Sequence, residues 1–335
     1  VKLFALLACA PDRPARFLVV DGREGDYALV EEPIPELVDP GRMTGTLGDG
    51  RVGGYLAGDL QDPCLADVHY SGGGAVHLRY SVRDGVGVPH DDDGVVLWSY
   101  YHTLSRVRAE LEALDIEVAP IFPIDFAYQP SVGGIGLSTT NAAYVGNGIH
   151  LFVLLADRLY ADLPLGANPG VIRHELGHAL FQLIVAGSPF DEGPGAERYD
   201  VRALNEGFAD LLAALTLDDP RFIDPSLVLE ARHLDGDATL ADAAPVDVDP
   251  YSRGTVYASL AWDLRDRTDP DTALVHAVAA LERWGDEERW REGQSGVDTW
   301  ATLLVEEVAT ERPDVVPGLC DDLQRRFATT PPVCE

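Results

Sequence analysis

Lysine is all but missing from the chain: Lys2 is the only one, so every other basic side chain among the 335 residues that titrates high is an arginine. That bias reads as the coding habit of a GC-rich genome and carries no information about mechanism. Basic charge of any kind is scarce, with 25 Lys and Arg against 56 Asp and Glu, a formal net charge of −31. A chain so acidic is excluded as a partner of nucleic acid or anionic membrane, whose phosphates are bound by Lys and Arg; it is favoured in water and attracts cationic substrates. No hydrophobic run approaches the length of about 20 residues that a membrane helix needs. No repeat or low-complexity segment interrupts the sequence. Cysteine is limited to four residues, which fits an oxidising compartment and allows three pairings. Sequence does not rank them; if Cys9 is set aside by lipidation, Cys320 and Cys334 could close a short terminal loop and leave Cys64 free.

What is present is enough for a real core, at 46% hydrophobic residues, and the length exceeds the usual single-domain size of roughly 100–200 residues. Residues 10–95 are rich in Gly, Val and Asp with alternating stretches such as Val76-His77-Leu78-Arg79-Tyr80-Ser81-Val82, which predicts β structure and turns. This region reads as a separate module, a propeptide-like inhibitor, or the first strands of the adjoining sheet, the last for its final third. From Trp98 the period changes. Leu104, Val107, Leu111 and Leu114 predict a helix, Ile116 to Ile124 a strand, and Thr255 to Phe327 a mostly helical part with stripes such as Leu274, Val278, Leu281 and Trp300, Leu303, Leu304, Val308. Sheet first and helices afterwards give an α+β class, with residues 96–335 as the second domain.

The informative segment is His174-Glu175-Leu176-Gly177-His178. Ile172, Leu176, Ala179, Leu180 and Leu183 recur at helical spacing, with Asn168-Pro169 as cap and first turn. On a helix, positions i and i+4 share a face, so both imidazoles can bind one ion while Glu175 reaches a water beside it. A second apolar stripe, Leu204, Phe208, Leu211, Leu212 and Leu215, predicts another helix carrying Asn205, Glu206 and Asp210. Glu206 and Asp210 are again i and i+4, so one can bind the metal while the other accepts a ring N–H from a ligand histidine.

Together these motifs resemble the thermolysin-like zinc peptidases, in which His-Glu-x-x-His is followed by Asn-Glu-x-x-x-Asp. The resemblance implies a zincin-like peptidase domain holding Zn2+ on His174, His178 and Glu206, with Glu175 as general base. It places Asp210 and Asn205 behind the ligands. Asn141-Ala142 with the strand Ile149 to Leu155 is similar to that family's substrate-binding edge strand, to which a peptide adds as a further strand. The segment Asp249 to Ala258 resembles the part that carries a transition-state-stabilising histidine, closest to the fungalysin-like branch, and this chain has Tyr251 there. A phenol can donate to a developing oxyanion, as Tyr199 or Tyr257 could. Twenty-seven residues lie between His178 and Glu206, more than is typical of thermolysin itself, and the Pro/Gly-rich stretch Gly187 to Tyr199 reads as a surface loop.

The remaining histidines, 69, 77, 90, 102, 150, 233 and 276, have no ligand spacing and read as structural or exposed. Asp91-Asp92-Asp93-Gly94 and Asp235-Gly236-Asp237 could hold Ca2+, but neither matches the twelve-residue calcium loop, and they read as solvated loops. Residues 1–9, ending Leu6-Leu7-Ala8-Cys9, resemble a bacterial lipoprotein signal with Cys9 as the lipidated residue, although the apolar run is shorter than the usual 7–15 or so. The expectation is an exported zinc endopeptidase acting on peptide or protein substrates at the cell envelope or outside it. The alternative is a catalytically degenerate, zinc-binding cell-surface interaction protein.

Overall fold

The structure, a computed structural model, describes residues 13–23, 25–58, 68–133, 141–146, 148–155, 163–191, 193–227 and 229–335. The lipoprotein-like segment 1–9 with Cys9, and Cys64, lie outside the described residues.

Strands come first: β1 (Arg16–Arg23), β2 (Asp26–Glu32), β3 (Leu37–Asp39), β4 (Thr44–Gly45), β5 (Gly48–Val52), β6 (Tyr55–Ala57), β7 (His69–Ser71), β8 (Gly74–Ala75), β9 (Tyr80–Arg83) and β10 (Val86–Pro89). Helix α1 (Asp92–Ala113) comes next, then β11 (Asp125–Tyr128), β12 (Ser131–Gly133), β13 (Asn141–Val145) and β14 (Leu151–Leu155). The rest is helical: α2 (Pro169–Ala186), α3 (Tyr199–Leu217), α4 (Pro250–Arg267), α5 (Pro270–Asp286), α6 (Gln294–Glu311) and α7 (Val316–Phe327). The chain is thus a mixed α and β protein, with mixed sheets in its first half and helices in its second.

One sheet has the order β2-β1-β10-β9, with β1 parallel to β10 and antiparallel to β2. The large sheet runs β13-β14-β11-β5-β4-β3, in which β11 is parallel to both β5 and β14 while β13 is antiparallel to β14. Strand β5 therefore joins the amino-terminal strands to the sheet beside the metal helices. Phe17 and Val19 of β1, Trp98 and Tyr100 of α1, and Leu176, Phe208, Leu260 and Leu304 of the later helices belong to one buried cluster. Strands before residue 95 thus share a sheet with β11 and β14 and a core with helices α1 to α6.

Several local expectations need correction. Ile116 to Ile124 is not a strand: a short 3-10 turn occupies Ala119–Ile121, and extended pairing starts only at Asp125. Pro120 and Pro123 have no N–H to give a ladder, which moves the strand past them. In 76–82 pairing begins at Tyr80 rather than Val76. The aspartates 91–93 are a helix start, not a solvated loop, since Asp91 caps α1 by accepting from the Gly94 N–H at 3.0 Å. The edge of the large sheet is β13, and β14 lies inside it between β13 and β11.

The metal helices form as their sequence dictates. Asn168 accepts from the Gly170 N–H at 2.8 Å ahead of Pro169, and α2 stops at Gly187 in the left-handed region. Two glycines set the helix spacing. A Cβ on Gly177 would stand 2.6 Å from the Ala209 Cα, and one on Gly207 would stand 2.4 Å from the Gly254 carbonyl oxygen. Helices α2, α3 and α4 can cross this closely only because these side chains are missing or small. At the far end, Cys320 is disulfide-bonded to Cys334.

Candidate metal centre

Helices α2 and α3 bring His174, Glu175, His178, Glu206 and Asp210 together, and all but His178 are buried. The group His174, Glu175 and His178 could hold a metal ion, with one ligand atom from each within 4.8 Å of the others. Two carboxylates compete for the third position, and geometry separates them. Nε2 of His174 and Nε2 of His178 are 3.1 Å apart, and Glu206 Oε2 lies 3.5 and 3.6 Å from them. Those are close to the edges of about 3.3–3.4 Å expected of a tetrahedron with bonds of roughly 2.0–2.1 Å. Among the described residues, the buried Glu206 Oε2 has no hydrogen-bond donor, as befits an atom that faces an ion. Glu175 Oε2, in contrast, accepts from the Tyr144 N–H of β13 at 2.8 Å.

Behind the ligands, both rings are fixed. His174 Nδ1 donates to Asp210 Oδ1 at 2.8 Å, and His178 Nδ1 donates to Asn205 Oδ1 at 2.9 Å. Each bond leaves the Nε2 lone pair directed at the shared point. Asp210 is 1% exposed and carries a second partner that spacing did not announce: Arg232 donates to both of its oxygens. The Arg232 guanidinium also lies 4.5 Å from the centre of the Tyr251 ring, a cation–π contact. Tyr251 therefore sits against the group that braces His174.

Electrostatics push the two glutamates apart. Burial works to raise the Glu206 carboxyl, but His178 and His174 outweigh it and hold it down at about 2. Burial dominates at Glu175 and raises its carboxyl above the ordinary value, against the lowering influence of the two histidines and the Tyr144 N–H. One carboxylate is kept ionised, the other made a better proton acceptor. Burial would lower His174, yet its bond to Asp210 and the nearby charge of Glu206 raise it to about 9, so a metal entering here would displace a proton. The Tyr251 hydroxyl is raised well beyond the usual phenol range by the charge of Glu206, then by burial, and stays a donor.

Of the substrate-binding candidates, Asn141 and Ala142 both lie on β13, with Ala142 buried. The alternatives to Tyr251 are placed elsewhere. Tyr257 is fully buried with its hydroxyl bonded to Asp298 at 2.7 Å, and Tyr199 is exposed at the start of α3. The Asp235-Gly236-Asp237 pair is engaged by Arg221 and Arg325. Reading the sequence missed Tyr144, Arg202 and Arg232. Arg202 had a signal, since it stands one turn before Glu206 on the same face; Arg232, 22 residues beyond Asp210, had none.

No protein-family model matches the chain, and no curated protein is significantly similar to it.

Proposed function

We propose that the chain is an exported zinc-dependent endopeptidase with a zincin-like domain of the thermolysin-like group. The observation that carries this reading is the triangle of His174 Nε2, His178 Nε2 and the unpartnered Glu206 Oε2, with a second carboxylate, Glu175, beside it. Two nitrogens and one oxygen suit zinc, and three protein ligands leave a position for chemistry, whereas structural zinc has four. Zinc in such a site supplies Lewis-acid polarisation of the scissile carbonyl and activation of water.

The chain's own residues do the rest. Glu175, its carboxyl raised by burial and its orientation held by the Tyr144 N–H, takes a proton from the attacking water and passes it to the leaving amine. Tyr251 donates a hydrogen bond to the developing oxyanion. Asp210 and Arg232 keep the His174 ring oriented, and Asn205 does so for His178. A peptide would lie along the outer edge of β13. There the Tyr144 N–H already points away from β14, and by the two-residue repeat Ala142 shares that edge.

The test is to incubate zinc-loaded protein with a diverse peptide mixture and read cleavage by mass spectrometry, beside the Glu175→Gln variant. Wild type should cut internal bonds, and the variant should bind zinc without cutting. Undiminished turnover by Glu175→Gln would end the assignment of the base.

A further inference from the structure

Helix α2 carries its metal-facing side one turn further than the two histidines need. His174, His178 and Gln182 stand at i, i+4 and i+8, so Gln182 continues the same face beyond His178. There it borders a cavity of about 160 Å³ whose other walls include His178 and Glu206 of the centre, Phe181 of α2, and Val201 and Asn205 of α3. The cavity thus opens directly beside the candidate ligands.

Gln182 is only 6% exposed, yet its Oε1 accepts no hydrogen bond among the described residues. A buried amide oxygen without a donor costs at least as much as a hydrogen bond is worth, so such a group calls for a partner from outside the chain. Gly146, directly after β13, makes the room for it: a Cβ there would stand 2.0 Å from Oε1 and 2.8 Å from Nε2. The carboxamide therefore lies against the end of the strand along which a peptide is proposed to run. Rotation about the last side-chain bond exchanges Oε1 and Nε2, so Gln182 can offer the cavity an acceptor or a donor. Asn205 spends its oxygen on His178, which leaves its NH2 as a second donor. Charge in the walls has both signs. Glu206 brings a carboxylate, and Arg202, already engaged in an interaction, brings a positive charge that is felt at the Tyr251 hydroxyl. An anionic ligand would meet Glu206 and a cationic one Arg202, whereas a neutral group meets neither conflict. Phe181, Val201 and Ala196 suit the methylenes of such a side chain. A neutral group that both donates and accepts, as Gln182 does, is a carboxamide.

We propose that this cavity is a specificity pocket for the side-chain carboxamide of a Gln or Asn residue of the substrate, paired with the Gln182 carboxamide and receiving the Asn205 NH2, next to the bond to be cut. The inference rests on the peptidase reading for what is cut, but not for what is bound.

Both readouts use the full chain loaded with zinc, at an ionic strength of about 0.5 M so that the net charge of −31 is screened. The first is binding to the hydrolytically silent Glu175→Gln protein, measured by calorimetry. The probes are oligoalanine hexapeptides, acetylated at one end and closed as methyl esters at the other, each carrying one Gln, Asn, Glu, Lys or Leu, so that the side chain brings the only primary carboxamide. The second readout is cleavage of the same peptides by the wild type. The Gln or Asn peptide should bind about 5–30-fold tighter than the Glu, Lys and Leu peptides, the scale of one to two net hydrogen bonds. Gln182→Met should erase that preference while zinc content and circular dichroism stay unchanged. Gly146→Ala, whose new Cβ displaces only the free end of Gln182, should erase it as well and takes the place of Gln182→Met if that variant does not fold. A Leu peptide closed as the primary amide separates a terminal carboxamide from a side-chain one; a gain for it alone refutes the side-chain assignment. Equal binding of all probes, tightest binding of the Glu, Lys or Leu peptide, or a preference that survives Gln182→Met overturns the pocket. Preferential binding without any cleavage upholds the pocket and refutes the peptidase instead. Cleavage indifferent to the side chain does the reverse.

Discussion

Gly207→Ala is the sharpest test of how the fold holds the centre. Gly207 comes directly after Glu206, the proposed third ligand, and faces α4, where a new methyl would stand 2.4 Å from the Gly254 carbonyl oxygen and 3.0 Å from the Gly254 Cα. These are backbone atoms, so no rotamer change relieves the clash. To reach an ordinary contact of 3.4–4 Å, α3 and α4 must part by about 1.0–1.6 Å. Overpacking of this kind costs roughly 1–3 kcal/mol. Against it stands a gain of about 1 kcal/mol for Ala over Gly inside a helix. A net loss of up to about 2 kcal/mol is expected in a urea titration of the metal-free protein. The same displacement moves Glu206 by several times the tolerance of about 0.2 Å that a metal site allows. Zinc affinity, measured by competition with a chromogenic chelator, should fall at least about 10-fold. Gly74→Ala, with open space around its Cβ and no left-handed backbone, is the control and should change neither readout. If Gly207→Ala proves as stable as wild type and binds zinc as tightly, the close crossing does not position Glu206, and that reasoning fails.

Asp210→Ala removes the acceptor of the His174 ring and leaves Arg232 buried without its carboxylate. Zinc affinity should drop about 10–100-fold by calorimetry. The metal-free fold should lose roughly 3–5 kcal/mol, part of it regained in the Asp210→Ala/Arg232→Ala double variant. An unchanged affinity would count against the bracing role. His150 is held below its ordinary value chiefly by burial, against the Ile121 carbonyl and Asp125. Its stabilising contribution is therefore present above its unfolded pKa of about 6.5 and is lost as pH falls through the depressed folded value. The stability gap between wild type and His150→Gln should narrow from pH 7.5 to pH 5.5, and a widening gap would refute the sign. The Cys320–Cys334 bond closes a loop with a sequence separation of 14, so the Cys320→Ser/Cys334→Ser variant should lose about 3 kcal/mol in guanidinium. A loss near zero would mean the unfolded terminus is already restricted.

Sequence alone determined what is local. Helical spacing put His174 and His178 on one face of α2 and Glu206 and Asp210 on one face of α3, because a period of 3.6 residues leaves little choice. Asn168-Pro169 marked the helix start by hydrogen-bond chemistry that reaches only two residues along the chain. Tertiary structure decided the rest, since its causes lie far apart in the chain. Only the pairing of β5 with β11 joined the amino-terminal strands to the sheet beside the centre. Only the crossing of α2 over α3 at Gly177 and Ala209 brought Glu206 Oε2 within 3.5 and 3.6 Å of the two Nε2 atoms, and only the docking of β13 gave Glu175 its N–H. Arg232 reached Asp210 from 22 residues further on, beyond the end of α3 at Leu217, where the helical period no longer constrains direction, and Arg198 ahead of α3 was tied back onto the Trp290 carbonyl. Periodicity fixes which side chains share a face; which faces meet is set by packing, and it is the meeting of faces that makes the site.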